Sequence, residues 1–270
     1  MCFRIFIKNF RARAEKKPSL EIPELGLRGG DFCALIAKSG VGKSLLLSLL
    51  AGSPPIYWLN KKSVSFDKFS ICGHDFKISD FYSPRKIRNK FIEIGELTTV
   101  YLPQILPLME GDNSTALDNF CDAFLAISPE TKSNGNKLER LFRKKDKNFD
   151  FKSPLAKLSG GERKRGELIC RLCAIEEKDT QNLLSLLDEP TSGFDAITQR
   201  KFIGDLKKKL DGKKFLTVVA THALAEIKAD VFNKIIFCKK HGNSCIVNFS
   251  GSLENFCGGC DLEHAFEEKS

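Results

Sequence analysis

The sequence predicts an α/β protein whose mainly parallel sheet delivers polar residues to one edge. Three observations carry this. A short apolar run, Phe32 to Ile36, empties into the glycine-containing loop AKSGVGKS and then into a leucine-rich stretch. A second run, LLSLL at 183–187, stops abruptly at Asp188 and Glu189. A third, FLTVVA at 215–220, stops at Thr221 and His222. Buried strands that each end in a polar group are what an open α/β sheet with a ligand at its carboxyl edge requires.

The first run, its loop and the segment that follows read as strand, turn and helix, with a stop at Gly52 before Pro54 and Pro55. The loop fits the Walker A pattern except that Ala37 stands in the first glycine position. Gly40 and Gly42 leave backbone N–H groups free to wrap phosphates, Lys43 reaches the β/γ oxygens, and the Ser44 hydroxyl is placed to hold Mg²⁺. At the second strand end Asp188 is a candidate Mg²⁺ ligand, acting through water, and Glu189 a candidate to polarise the attacking water. At the third, His222 is a candidate sensor of the γ-phosphate. The alternating stretch SVSFDKFSI places an antiparallel sheet region within 58–101.

With 270 residues, 42% of them hydrophobic and 29% charged, the chain has enough apolar material for one large domain or two small ones. No apolar run approaches the roughly 18 residues of a membrane span, and the N-terminus MCFRIFIKNF lacks a signal-like stretch, so a cytoplasmic location is expected. The net charge of +9 would suit a nucleic-acid surface or a neighbour of an anionic membrane face. The basic residues are scattered through PRKIRNK, FRKKDK, DLKKKLDGKK and FCKKHG, which reads as solvated surface, and no nucleic acid is expected. Ten cysteines in a chain of this size without a secretory signal do not make a disulfide scaffold. Cys170 and Cys173 share one face of the expected helix and read as small buried residues, whereas Cys257 and Cys260 have turn spacing suited to a metal or redox pair.

One more stretch stands out: LSGGERKRGELICRLC at 158–173, two glycines opening a basic helix in a chain that already has a phosphate loop. The order AKSGVGKS, TVYLPQ, LSGGERKR, LLDEP, SGFD and TH resembles the ATP-binding cassette (ABC) ATPases over nearly the whole chain. The resemblance implies a P-loop NTPase core with a mainly parallel sheet, an antiparallel β subdomain and an inserted helical subdomain at about 113–157. Together these make an ATP-binding domain over 1–256 and a short tail at 257–270. It implies ATP and Mg²⁺ as ligands, with Lys38, Ser39, Gly40, Val41, Gly42, Lys43, Ser44 and Leu45 around the phosphates. Gln104 is implied as the glutamine that touches Mg²⁺ or water, beside Ser44 and Asp188, and Glu189, Gln104 and His222 as the catalytic set. Two nucleotide domains pair head to tail in this family, so Ser159, Gly160, Gly161 and Glu162 are expected to bind the γ-phosphate held by the other copy, and 192–195 to cross between copies.

The same resemblance implies a homodimer or a paired ABC subunit, integral membrane permease subunits as partners, and a place on the inner face of the cell membrane. Lipid, lipoprotein or macrolide export is the expected type. The alternative is a soluble ABC ATPase, as in iron–sulfur cluster assembly. Three departures bear on binding: Ala14 where an adenine-stacking aromatic is usual, Leu45 in place of a hydroxyl, and Ala37. Hydrolysis is expected to be preserved, with reduced nucleotide affinity.

Overall fold

The structure is a computed structural model and describes residues 3–13, 17–60, 62–95, 97–103, 135–144, 149–154, 157–177, 182–192, 194–210, 215–222 and 231–257. The chain divides into two compact units. One comprises 1–101, 181–189 and 196–270, and the other 102–180 and 190–195.

The first unit is organised by one sheet of eleven strands in the order β6-β5-β1-β2-β11-β10-β3-β9-β8-β7, with β4 paired to β1. Its centre holds β3 (Phe32–Ile36), β8 (Asn182–Asp188) and β9 (Phe215–Thr221), each buried along its full length. These are the three apolar runs, and β9 pairs parallel with both neighbours. Strands buried on both faces need no polar alternation, which is why they read as continuous apolar runs. The register sets Ile36 opposite Thr221 and Asp188 opposite Ala220, so the polar residues after all three strands reach one edge at one level.

On one side of this centre β10 (Lys234–His241) pairs parallel with β3 and antiparallel with β11 (Ser244–Gly251). Strand β11 joins β2 (Ser19–Arg28) in parallel, and β2 forms a long antiparallel hairpin with β1 (Arg4–Ala12). In β1 the buried residues change from Ile5 and Ile7 to Phe10 and Ala12, a switch of parity at Asn9, whose φ is 50°. Strand β2 makes the same switch directly opposite, between Ile22 and Leu25. The antiparallel wing continues through β4 (Val64–Ser65), β5 (Lys68–Ile71) and β6 (His74–Asp75), and β7 (Leu97–Leu102) closes the far edge beside β8.

The segment 58–101 holds more than the antiparallel strands expected of it. A helix α2 (Pro84–Glu93) lies within it, started by the Ser83 side chain, which accepts from the Lys86 N–H, and by Pro84 in the first turn. Its Phe91 joins the rings of Phe10, Phe66, Phe69, Phe76 and Phe81, with neighbouring centroids 4.6–6.3 Å apart. Against the sheet packs α1 (Lys43–Leu50), with Leu46, Leu47, Leu49 and Leu50 buried, while α5 (Ala196–Leu210) buries Ile203 and Leu206. The short α6 (Leu253–Cys257) sets Phe256 on Phe237 and Phe249.

The second unit contains α3 (Gly135–Arg143) and α4 (Gly160–Glu177), which pack on each other. Phe142 meets Phe149 and Phe151, and the Arg143 guanidinium lies over the Phe151 ring. Cys170 and Cys173 are buried in α4, as their spacing leads one to expect. Most of the expected helical subdomain, including 113–127, lies outside the described residues, as do Cys260 and the rest of the tail after Cys257. Among the described residues no helix is long and apolar enough to cross a membrane.

Candidate functional site: a phosphate loop facing two acids and a histidine

The loop between β3 and α1 can fold only because two of its residues lack side chains. Gly40 and Gly42 sit at φ 73° and 113°, where an L-residue is strained. Gly42 caps α1 in this left-handed conformation without any side-chain cap; the Leu45 N–H donates to the Gly42 carbonyl at 3.0 Å, and the N–H groups ahead of it face the place for an anion. Lys38, Ser39 and Gly40 are exposed, Val41 is buried, and Leu45 is half-buried against the core.

Lys43 is the buried cation of the site. Only 6% of it is exposed, and its Nζ donates to the Ala37 carbonyl at 3.2 Å. Nζ also lies 3.6 Å from Oε1 of Glu189. His222 approaches that oxygen from the other side, with Nδ1 at 3.1 Å, and carrying the proton there it donates to the carboxylate. Glu189 is held in place from behind, since its N–H donates to Ala220 O at 2.9 Å and extends the β8–β9 ladder by one bond. The residue stands at φ 48°, an uncommon conformation for a side chain of this size and a local strain of the kind found at functional sites. Beside it the Ser44 hydroxyl donates to Oδ2 of Asp188 at 2.5 Å. Lys43, Ser44, Asp188, Glu189 and His222 therefore form one cluster at the carboxyl edge of the sheet.

Tyr101 belongs to this cluster although the sequence reading passed over it. Burial raises its hydroxyl pKa to about 12, and the Asp188 charge pushes the same way. The stretch TVYLPQ contains it, but only three-dimensional packing brings the end of β7 to the end of β8. Gln104 and Ala14 lie outside the described residues.

The LSGG turn, in the second unit, is built differently. Ser159 precedes α4 and forms a reciprocal cap: its N–H and its hydroxyl donate to Oε2 of Glu162 at 2.9 and 2.7 Å, and its hydroxyl accepts from the Glu162 N–H at 3.2 Å. Those bonds from Ser159 hold the Glu162 carboxyl below its ordinary pKa. Ser159, Gly160 and Glu162 are exposed, and Gly161 is half-exposed.

A family model described as ABC transporter matches residues 20–192, from β2 through the phosphate loop and the LSGG turn to the loop after β8. The chain belongs to the ABC transporter family. Relatives of this ABC protein include vegetative protein 296 of Bacillus subtilis, 26% identical over 80% of this chain and 76% of that one. The thiamine import ATP-binding protein ThiQ of Aliivibrio fischeri is 24% identical over 80% of each chain. The energy-coupling factor transporter ATP-binding protein EcfA2 of Clostridium acetobutylicum is 24% identical over 88% of this chain and 74% of that one.

Among solved structures, an ATP-binding subunit of an ABC transporter superposes with a TM-score of 0.66 over 97% of both chains at 18% identity. A bacterial Atm1-family ABC exporter with ATP bound gives the same score over 98% of this chain and 41% of that one, at 17% identity. At such identities these two show the fold, which is the α/β ABC ATPase fold expected from the motifs. The protein is an ATP-binding subunit of this family and an ATPase.

Proposed function

We propose that this ABC ATPase works as a head-to-tail pair of copies, or beside a paired ABC subunit, and drives separate membrane permease subunits from the inner face of the cell membrane. Each ATP then lies between the phosphate loop of one copy and the Ser159–Glu162 turn of the other. The observation that carries the reading is the Glu189 carboxylate held between Lys43 and His222 at the end of the phosphate loop.

The N–H groups of the 38–45 loop that are not already bonded within it, together with the Lys43 ammonium, bind the phosphates. Lys43 now faces Glu189, so a bound γ-phosphate competes for that cation and frees the carboxylate to accept a proton from water. His222 orients Glu189 and senses the phosphate. The oxygens of Ser44 and Asp188 suit a hard cation, and they, with Gln104, would hold Mg²⁺. When bound, that ion supplies charge neutralisation on the β and γ oxygens. Closure of the pair follows from ligation, since ATP contacts both copies and stabilises the joined state by mass action.

The relatives named above include an import protein and the solved structures include an exporter, which supports a motor compatible with either direction. The transport type proposed is export of lipid, lipoprotein or macrolide. The test is a tagged Glu189→Gln form expressed in the native cell, solubilised in mild detergent and purified with ATP present. A polytopic membrane protein recovered in near-equal amount is the expected result, and its sequence would give the direction. Recovery of soluble partners alone, with the protein absent from membrane fractions, would overturn the transporter reading in favour of a soluble ABC ATPase such as one serving iron–sulfur cluster assembly.

A further inference from the structure

Two thiols lie directly beneath the phosphate loop and take no part in the chemistry described above it. The β10–β11 register pairs Cys238 with Val247 and Lys240 with Cys245, so Cys238 and Cys245 share one face of the hairpin as diagonal neighbours. Such diagonals are roughly 7–8 Å apart along the backbone. A bulge at Phe237/Cys238 shifts the register here and sharpens the local twist. Both side chains are buried and belong to the same hydrophobic core as Val41 and Leu46. The contact with the loop is close: a Cβ built on Gly42 would stand 3.0 Å from Cβ of Cys245 and 3.6 Å from its Sγ.

The electrostatics favour reactivity at one sulfur. A hydrogen bond from Cys238 lowers the Cys245 pKa, burial opposes this, and the Lys43 ammonium lowers it further. The same hydrogen bond, with burial, raises Cys238 well above the ordinary thiol value. The Lys43 ammonium favours the thiolate at both sulfurs, and Cys245, the one set against Gly42, is assigned as the attacking thiol with Cys238 resolving.

We propose that Cys238 and Cys245 are a peroxide-reactive dithiol that closes to an intrachain disulfide under the phosphate loop and weakens ATP binding. The inference rests on reading that loop as the ATP site. In the first step the Cys245 sulfur attacks one oxygen of hydrogen peroxide and the O–O bond breaks. The leaving hydroxide takes a proton to become water, and Cys245 becomes the sulfenic acid. In the second step the Cys238 sulfur attacks that of Cys245 and the S–O bond breaks. The hydroxide leaves with the Cys238 proton as a second water. Two thiols are oxidised by two electrons in all, and one peroxide is reduced to two waters.

Closure demands movement. A disulfide needs Cα atoms within about 4.4–6.8 Å and Cβ atoms near 3.8 Å, so the hairpin must contract by about an ångström. The hairpin and the loop are closely apposed here, since a Cβ added at Gly42 would also stand 3.1 Å from Leu45 Cδ1. The contraction therefore moves Gly42 and the N–H groups that hold phosphate.

The experiment exposes the reduced full-length protein to hydrogen peroxide with and without saturating Mg-ATP. Remaining thiols are alkylated, linked peptides are read by tandem mass spectrometry, and a fluorescent ATP analogue is titrated before and after. The expected result is a Cys238–Cys245 linkage and an affinity about tenfold weaker, the scale of a sub-ångström to ångström misplacement of a site. Dithiothreitol restores the affinity, and ATP slows the linkage. The Cys238→Ser form should bind the analogue normally and lose the peroxide response. Recovery of the two cysteines unlinked, or a linkage that leaves affinity unchanged, overturns the proposal. So does an equal peroxide response in wild type and Cys238→Ser. Failure of the reduced wild type to bind the analogue would instead refute the ATP-site reading, and the linkage assay would still report on the thiols.

Discussion

In the phosphate loop Gly40 and Gly42 stand at φ 73° and 113°, and a side chain on Gly42 would be crowded by Cys245 and Leu45. In the LSGG turn Gly160 and Gly161 have ordinary backbone angles, and a Cβ on either would meet nothing within 4 Å. The loop's lysine is buried against Glu189, whereas the turn's serine and glutamate are exposed and bonded to each other. One turn is constrained by its own fold and ends on the buried Lys43, Asp188 and Glu189. The other is a rigid, self-capped helix start whose glycines no described neighbour in the chain requires. That openness is in keeping with the proposal that this turn meets the phosphate held by another copy.

The largest expected effect that sharpens this contrast is at the buried turn's carboxylate. Glu189→Gln removes the proton acceptor while keeping its shape, and turnover should fall by about 10³-fold with ATP binding retained, as read by phosphate release and nucleotide titration. Persistent hydrolysis would mean that another group is the base. His222→Ala should cost less, about 10²-fold in turnover, because it orients Glu189 and does not replace it.

Paired glycine substitutions then break or keep the comparison itself. Gly42→Ala should destabilise the fold by about 1–3 kcal/mol, seen as a lower urea midpoint, because alanine is strained at that φ and crowded by Cys245. Gly160→Ala should leave the midpoint unchanged or slightly higher, by up to about 1 kcal/mol, since alanine is the better helix residue. Its ATPase activity should nevertheless fall. Equal destabilisation by the two would erase the distinction between the turns.

The smallest effect concerns pH. Because the Glu162 pKa is depressed by the Ser159 bonds, the cap's contribution is whole above the ordinary glutamate value of 4.5 and is lost as pH falls through the lowered value. Wild type and Ser159→Ala should therefore differ in urea midpoint near neutrality and converge in stronger acid. The difference is small because the pair is exposed.

Much of this site was legible because its strands are buried on both faces. The runs at 32–36, 183–187 and 215–220 end where β3, β8 and β9 bring Lys43, Asp188 and His222 to a single edge. Helix α2 was also legible, since Ser83-Pro84 is a helix-start signal, but the alternating strands before it drew the whole segment into a sheet reading. The Lys43–Glu189 contact and the positive φ of Glu189 were not legible, because they arise from register between segments nearly 150 residues apart, as Glu189 follows Lys43 by 146 positions. Cys238 and Cys245 drew no notice in a sequence with ten cysteines, and only the β10–β11 register sets them together under Gly42.

The most direct test of the two-turn account is the mass in solution of Glu189→Gln, measured by light scattering with and without Mg-ATP, alone and combined with Ser159→Arg. The account expects the single variant to double its mass when ATP is added. It expects the combined variant to bind ATP and remain single, because only the exposed turn has been blocked. An ATP-saturated Glu189→Gln protein that stays single, or a pair that forms equally well with Ser159→Arg, would contradict it.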